Sequence, residues 1–248
     1  MSKRHTLLTL ALLVGLTIPV LIWNLELFTF INGHNNAPLD RLFGLISGLG
    51  DGLIAVVVIL AVAMFRAREG CAALAAFILS GLFAQLIKRL FDLPRPPAVF
   101  EHVHLLGAAL RSHSFPSGHA TTDGMMAAAT LLIWRGEERS IAWMVASFFV
   151  LAAIGRIYGG VHFPRDVWVG WWIGIATMAA CWYWSARWPV AKWQQLPWWP
   201  SILALLLAIC AGVLGLGYRV QPSTAQPLAL LVPVIALYLL AKRWKRAP

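Results

Sequence analysis

Apolar runs of membrane-spanning length dominate this chain and leave its fold little freedom. A helix needs about 17 to 25 apolar residues to cross the hydrocarbon core of a bilayer. Such windows recur near residues 7–25, 45–65, 70–90, 117–134, 140–157, 167–186, 200–218 and 227–241, the last being short and interrupted by Pro233. Of the 248 residues 60% are hydrophobic and 12% charged, where a soluble domain carries about 25% charged residues. In lipid each segment must satisfy its own backbone polar groups. The expected fold is therefore all-α, a polytopic membrane helix bundle. Residues 1–190 would form a six-span core, and 191–248 an interfacial segment and two additional spans of the same structural unit.

Charge and cysteine usage narrow the class further. The net charge of +10 comes from cations in short loops, not from a basic stripe interleaved with aromatics, so no nucleic-acid partner is expected. With both termini cytoplasmic, twelve of the twenty Lys and Arg residues fall on the inner side and eight on the outer, as the positive-inside rule requires. Lys3 and Arg4 before Leu7 to Trp23 resemble a secretory signal. The bulky stretch from Asn24 to Phe28 then stands where small residues would mark a cleavage site, which favours an uncleaved first span. Cys71, Cys181 and Cys210 share no metal-ligand or paired spacing and read as apolar fillers. Trp188, Trp193, Trp198 and Trp199 read as an interfacial belt.

Three polar islands break the apolar text: Lys88 with Arg95–Pro96, then Pro116–Ser117–Gly118–His119, then Arg156 with His162 and Asp166. Ionisable groups beside membrane spans are costly unless they pair or line a cavity, so they point to function. The assigned spans put all three islands on the outer side. Ser117 is a good N-cap and Gly118 lets a ligand approach the backbone, so the island reads as a helix-start anion site. Equally, it reads as a capping sequence topped by His119. Pro164 suits the first turn of a helix, from which Asp166 can turn back to His162 and fix its tautomer. The structural alternative makes Asp166 a helix-start carboxylate and Arg156 a snorkelling anchor. Lys88 and Arg95, the latter stiffened between Pro94 and Pro96, could grip phosphate oxygens or simply anchor the interface. Together these groups suit binding and cleavage of a phosphate ester.

In that order the islands resemble the three-part signature of the type-2 phosphatidic acid phosphatase superfamily, and every motif position matches from residue 88 to 166. The resemblance implies a metal-independent membrane phosphatase without cofactor. In it His162 would be the nucleophile, Asp166 its orienting partner and His119 the acid on the leaving oxygen. Lys88, Arg95, Ser117, Gly118 and Arg156 would hold the phosphoryl oxygens. It also implies a lipid phosphate substrate in the bilayer at the outer face of the cell inner membrane. An undecaprenyl diphosphate-like polyprenyl carrier comes first, with lipid A 1-phosphate and phosphatidylglycerol phosphate as competitors.

Other readings stay in view. Glu101, His102, His104 and His113 could suggest a zinc site, although no distinctive spacing supports one. Asp51 could line the pocket or sit at the interface. Asp123 shares a helical face with His119, four residues away, and could orient it. A lipid-phosphate transporter or flippase would need the cations but no nucleophile and no acid.

Overall fold

The computed structural model describes residues 15–134, 136–216, 218–220 and 223–244. Residues 7–14 of the first expected span lie outside them, as do Lys3, Arg4, Arg135, Lys245 and Arg246. Among the described residues every regular element is helical. The order is α1 (Gly15–Ile22), α2 (Asn24–Gly33), α3 (Ala37–Ile46), α4 (Gly52–Phe65), α5 (Ala67–Phe91), α6 (Pro96–Val99), α7 (Gly118–Ile133), α8 (Arg139–Tyr158), α9 (Pro164–Ser185), α10 (Val190–Gln194), α11 (Trp199–Gly215) and α12 (Gln226–Trp244).

The protein is a membrane helix bundle whose segmentation is less regular than eight simple spans. Among the described residues two stretches are long and apolar enough to cross unaided, Ala67–Val99 and Arg139–Tyr158. Two bent pairs reach the same criterion: Gly15–Ile22 with Asn24–Gly33 at 78°, and Ala37–Gly50 with Gly52–Phe65 at 57°. The second bend has a clear local cause. Asp51 has an extended backbone, and its carboxylate accepts from the N–H groups of Leu53 (2.9 Å) and Ile54 (3.3 Å), starting α4 at Gly52. Residues 45–51, expected inside the second span, instead finish α3 and form a 3-10 turn, Ser47–Gly50. Asn36 starts α3 in the same way, accepting from Leu39 N–H at 3.0 Å.

The centre is held by backbone-to-backbone proximity rather than large side chains. The most extensive helix pair is α7 with α9. A Cβ on Gly174 would lie 2.1 Å from Thr121 O, and one on Gly124 would lie 2.2 Å from Trp171 O. Small residues permit this approach, the usual means of helix association in lipid. Around the seam Ala72, Ala73, Ala76, Met125, Ala129, Ala146 and Met178 fill the core. A second cluster joins α4 to the C-terminal hairpin through Ile54, Val57, Leu60, Leu203, Leu207 and Leu214. Outward faces stay apolar, with Leu82, Leu86 and Leu90 of α5 and Trp143 and Met144 of α8 more than half exposed, as expected where lipid replaces water.

Four helices converge on one place. Lys88 lies in the last turn of α5 and Arg156 in the last turn of α8, while α7 begins at Gly118 and α9 begins two residues before Asp166. Two helix ends with basic residues thus meet two helix starts. The connection from residue 100 to residue 115 closes over them. Asn32 anchors that connection: its amide donates to His104 O (2.8 Å) and to Tyr158 O (2.7 Å), while its carbonyl oxygen accepts from His104 N–H (3.1 Å). Gly160, with φ +70°, turns the chain beneath it, where a Cβ would lie 2.3 Å from His104 O.

Candidate active site

A cavity of about 310 Å³ sits where these ends meet. Lys88, Arg95, Gly118, His119, Arg156 and His162 all line it, so groups from all three sequence islands share one enclosure. Leu106 and Leu110 of the covering loop form an apolar wall. Ser117 and Asp166 are absent from the lining. Both are wholly buried one layer behind it.

The α7 start is built as an anion site. The Ser117 hydroxyl accepts from Ala120 N–H at 3.4 Å, and its own N–H donates to Asp166 O at 2.9 Å, fastening α7 to α9. Ser117 therefore shapes the helix start that Gly118 presents. A Cβ on Gly118 would meet nothing within 4 Å, leaving its backbone open to the cavity. The Nε2 of His119 is buried and makes no hydrogen bond to a protein group. Such an atom, facing a polar cavity, is a ready partner for a ligand oxygen.

Lys88 and Arg95 are held largely by backbone carbonyls of the covering loop. Lys88 Nζ donates to His113 O at 2.7 Å. Arg95 donates through Nε to Ser112 O (2.9 Å) and through a terminal nitrogen to Val161 O (3.1 Å), and its N–H pairs with Arg111 O (3.0 Å). That same terminal nitrogen lies 3.3 Å from Nε2 of His162. A guanidinium carries donors only, so Nε2 is the bare nitrogen of the ring and Nδ1 holds the proton. Burial lowers the His162 pKa to about 3, Asp166 opposing this and Arg95 adding to it. The ring is neutral at physiological pH.

Behind the ring the geometry departs from expectation. Asp166 Oδ2 lies 3.7 Å from His162 Nδ1, beyond hydrogen-bond reach. Ser114, absent from the sequence reading, lies against both. Its hydroxyl is 2.5 Å from Asp166 Oδ2 and 3.5 Å from His162 Nδ1. Asp166 Oδ2 also accepts from Phe163 N–H at 2.9 Å, which places the carboxylate in the α9 first turn. The only hint available beforehand was a serine three residues before Ser117, and nothing in one sequence separates it from a loop residue.

The remaining candidates fall elsewhere. Asp123 is wholly buried, and neither carboxylate oxygen makes a hydrogen bond, so it does not hold His119 by one. It interacts electrostatically with Arg156 instead, beside Gly50. Asp51 is 3% exposed and is absent from the cavity lining. Besides capping α4 it accepts from the Tyr218 hydroxyl at 2.8 Å. His104 Nε2 sits 2.8 Å from Asp40, and His113 Nδ1 lies 3.2 Å from Asp92. Glu101 and His102 are exposed. Among the described residues no three potential metal ligands come together.

A cavity lined by cations and histidines in a helical bundle suits an anionic ligand, and the comparisons with known proteins refine this. Residues 69–189 match the model of the PAP2 superfamily. The undecaprenyl-diphosphatase of Sulfolobus acidocaldarius is 30% identical over 154 residues, covering 61% of this chain and 73% of that protein. Undecaprenyl-diphosphatase BcrC of Bacillus subtilis is 31% identical over 58% of this chain and 75% of its own length. A lipid A 1-phosphatase of Rhizobium johnstonii is 26% identical over 63% and 78%. The crystal structure of Aquifex aeolicus LpxE superposes with a TM-score of 0.58 and 33% identity, covering 66% of this chain and 95% of that one. The chain belongs to the PAP2 superfamily and is a membrane phosphatase.

Proposed function

We propose that this protein removes phosphate from a polyprenyl diphosphate of the undecaprenyl type at the outer face of the cytoplasmic membrane, with both chain termini inside. The observation that carries the reading is the shared enclosure. Two histidines, three cations and an open helix start line one cavity of about 310 Å³.

Phosphoryl transfer needs an in-line nucleophile, a donor for the leaving oxygen and fixed positive charge for the equatorial oxygens. His162 Nε2 attacks phosphorus with its lone pair, forming the N–P bond. The bond from that terminal phosphorus to the bridging oxygen breaks, and His119 protonates this oxygen as the lipid monophosphate departs. Lys88, Arg95, Arg156 and the Gly118 backbone hold the charge that builds on the other oxygens, with Ser117 fixing the helix start. A water deprotonated by His119 then cleaves the N–P bond and releases inorganic phosphate. Charge is met by side chains and amides throughout, so activity is expected to persist in EDTA. Loss on chelation with recovery on adding a divalent ion would contradict the mechanism.

The relatives named undecaprenyl-diphosphatase support the polyprenyl assignment, and the relative named lipid A 1-phosphatase supports lipid A 1-phosphate as the alternative. The cation distribution supports the orientation, with twelve Lys and Arg assigned inside against eight outside. Phosphate release by purified protein from undecaprenyl diphosphate, lipid A and phosphatidylglycerol phosphate, with His162→Ala as blank, tests the reading. The polyprenyl lipid should have the largest kcat/KM. A clear preference for either competitor reassigns the substrate, and release by the His162→Ala protein removes the enzyme mechanism.

A further inference from the structure

Asp166 and His162 are four residues apart, and a direct carboxylate–imidazole bond is what that spacing suggests. The distance of 3.7 Å leaves this bond unmade. Ser114 lies against both groups and is 0% exposed. A hydroxyl has one proton to give and two lone pairs to accept with. Its proton goes to Asp166 Oδ2, 2.5 Å away, the shortest and most strongly charge-assisted contact it has. The lone pairs are left for His162 Nδ1, 3.5 Å away. The opposite ring nitrogen faces a guanidinium N–H of Arg95 at 3.3 Å. Both edges of the imidazole therefore demand the same tautomer, with the proton on Nδ1 and the lone pair on Nε2 aimed into the cavity.

We infer that Ser114 is a positioning residue for this reaction, linking Asp166 to His162 through its hydroxyl and holding the ring in the tautomer that can attack phosphorus. The inference rests on His162 being the nucleophile. When Nε2 bonds to phosphorus the ring becomes cationic and keeps its Nδ1 proton. The Ser114 hydroxyl accepts from that proton while Asp166 supplies the negative charge behind it. No proton leaves the ring in this step.

The backbone explains why a serine of the covering loop reaches this spot. Ser114 N–H donates to Leu93 O at 2.9 Å, and Arg95 N–H donates to Arg111 O at 3.0 Å. Residues 111–114 thus run alongside 93–95, and one local pairing sets the groups on both sides of the His162 ring. Register between the first and second islands is thereby tied to the tautomer of the third.

The test compares Ser114→Ala, Ser114→Thr, Asp166→Ala and the double variant Ser114→Ala/Asp166→Ala by steady-state and rapid-quench kinetics on the full chain in detergent. Removing an outer hydrogen-bond partner of a metal-bound histidine costs about 10- to 100-fold, and a neutral hydroxyl beside His162 is expected to act on that scale. Ser114→Ala should lose that much in kcat and in the rate of phosphoenzyme formation, with KM within about twofold, while Ser114→Thr recovers most of the loss. The double variant should be within about threefold of Asp166→Ala, since one linkage is cut in both. Full kcat in Ser114→Ala, or losses that multiply in the double variant, overturns the inference. If Ser114→Ala does not fold, Ser114→Cys, a weak acceptor of similar size, must show the same kcat loss. His162→Ala, run in parallel, separates the two claims. Activity there removes the nucleophile reading itself, whereas an inactive His162→Ala beside a fully active Ser114→Ala removes only the role of Ser114.

Discussion

Two hollows in this molecule invite comparison. The cavity at the island end holds about 310 Å³ and is lined by Lys88, Arg95, His119, Arg156 and His162. A groove among α4, the end of α7 and α12 holds about 420 Å³, and apart from Arg66 its walls are apolar, among them Val58, Val62, Phe65, Val232 and Ile235. The larger hollow carries no chemistry. Volume does not mark a site, whereas convergent polar groups do. The helices around each hollow are also joined differently. At the first, glycines bring backbones of α7 and α9 together and hydrogen bonds fix the loop. At the second, branched side chains of α4 meet the C-terminal hairpin. Backbone contact sets atom positions tightly, while side-chain packing of similar volume tolerates exchange.

The comparison is broken most directly at its polar end. His162→Ala should lower kcat about 10⁴-fold or more, since residues that act as one unit fail together, and phosphate-release assays would read it. Arg95→Lys should cost about 10- to 100-fold in kcat/KM, because an ammonium keeps the charge but cannot make the fork of contacts to Ser112 O, Val161 O and a phosphate. A full-rate Arg95→Lys protein would mean that point charge alone suffices.

Next comes the acid side of stability. Folded His162 has a pKa of about 3, below the ordinary value of 6.5. The unfolded ring takes up a proton below 6.5 and the folded ring does not, so this contribution is intact above pH 6.5 and lost as pH falls toward 3. At pH 5 the loss is about 2 kcal/mol. The Tm difference between pH 7.5 and pH 5 should shrink in His162→Gln, and an unchanged difference would refute it. Tyr218→Phe removes one hydrogen bond to Asp51. It should cost about 1 kcal/mol in stability and leave kcat within about threefold. Smallest of all, Val232→Phe in the apolar groove should leave kcat unchanged, and a large loss there would erase the distinction between the hollows.

The polar end was the legible end. Buried cations and histidines in an apolar chain announce themselves because lipid penalises them, and the five that line the cavity were all named from the islands. Helices were legible for the same reason, since backbone in lipid has few alternatives. The bends were not, because Asp51 starts α4 by a side-chain cap whose reach depends on the turn before it. Ser114 and Asn32 were missed since neutral polar residues are common and their partners lie far along the chain: His162 and Asp166 for one, His104 and Tyr158 for the other. Asp123 shows the limit of spacing as a guide. Four residues from His119, its carboxylate makes no hydrogen bond and lies beside Gly50.

The most direct measurement is to quench the enzyme during turnover of a lipid labelled on the departing phosphate and map the label on the chain. A label stable to alkali, labile to acid, confined to His162 and absent from His162→Ala is what the account predicts. Turnover with no label on His162 under conditions that trap other phosphohistidines, or label on a different residue, would contradict it.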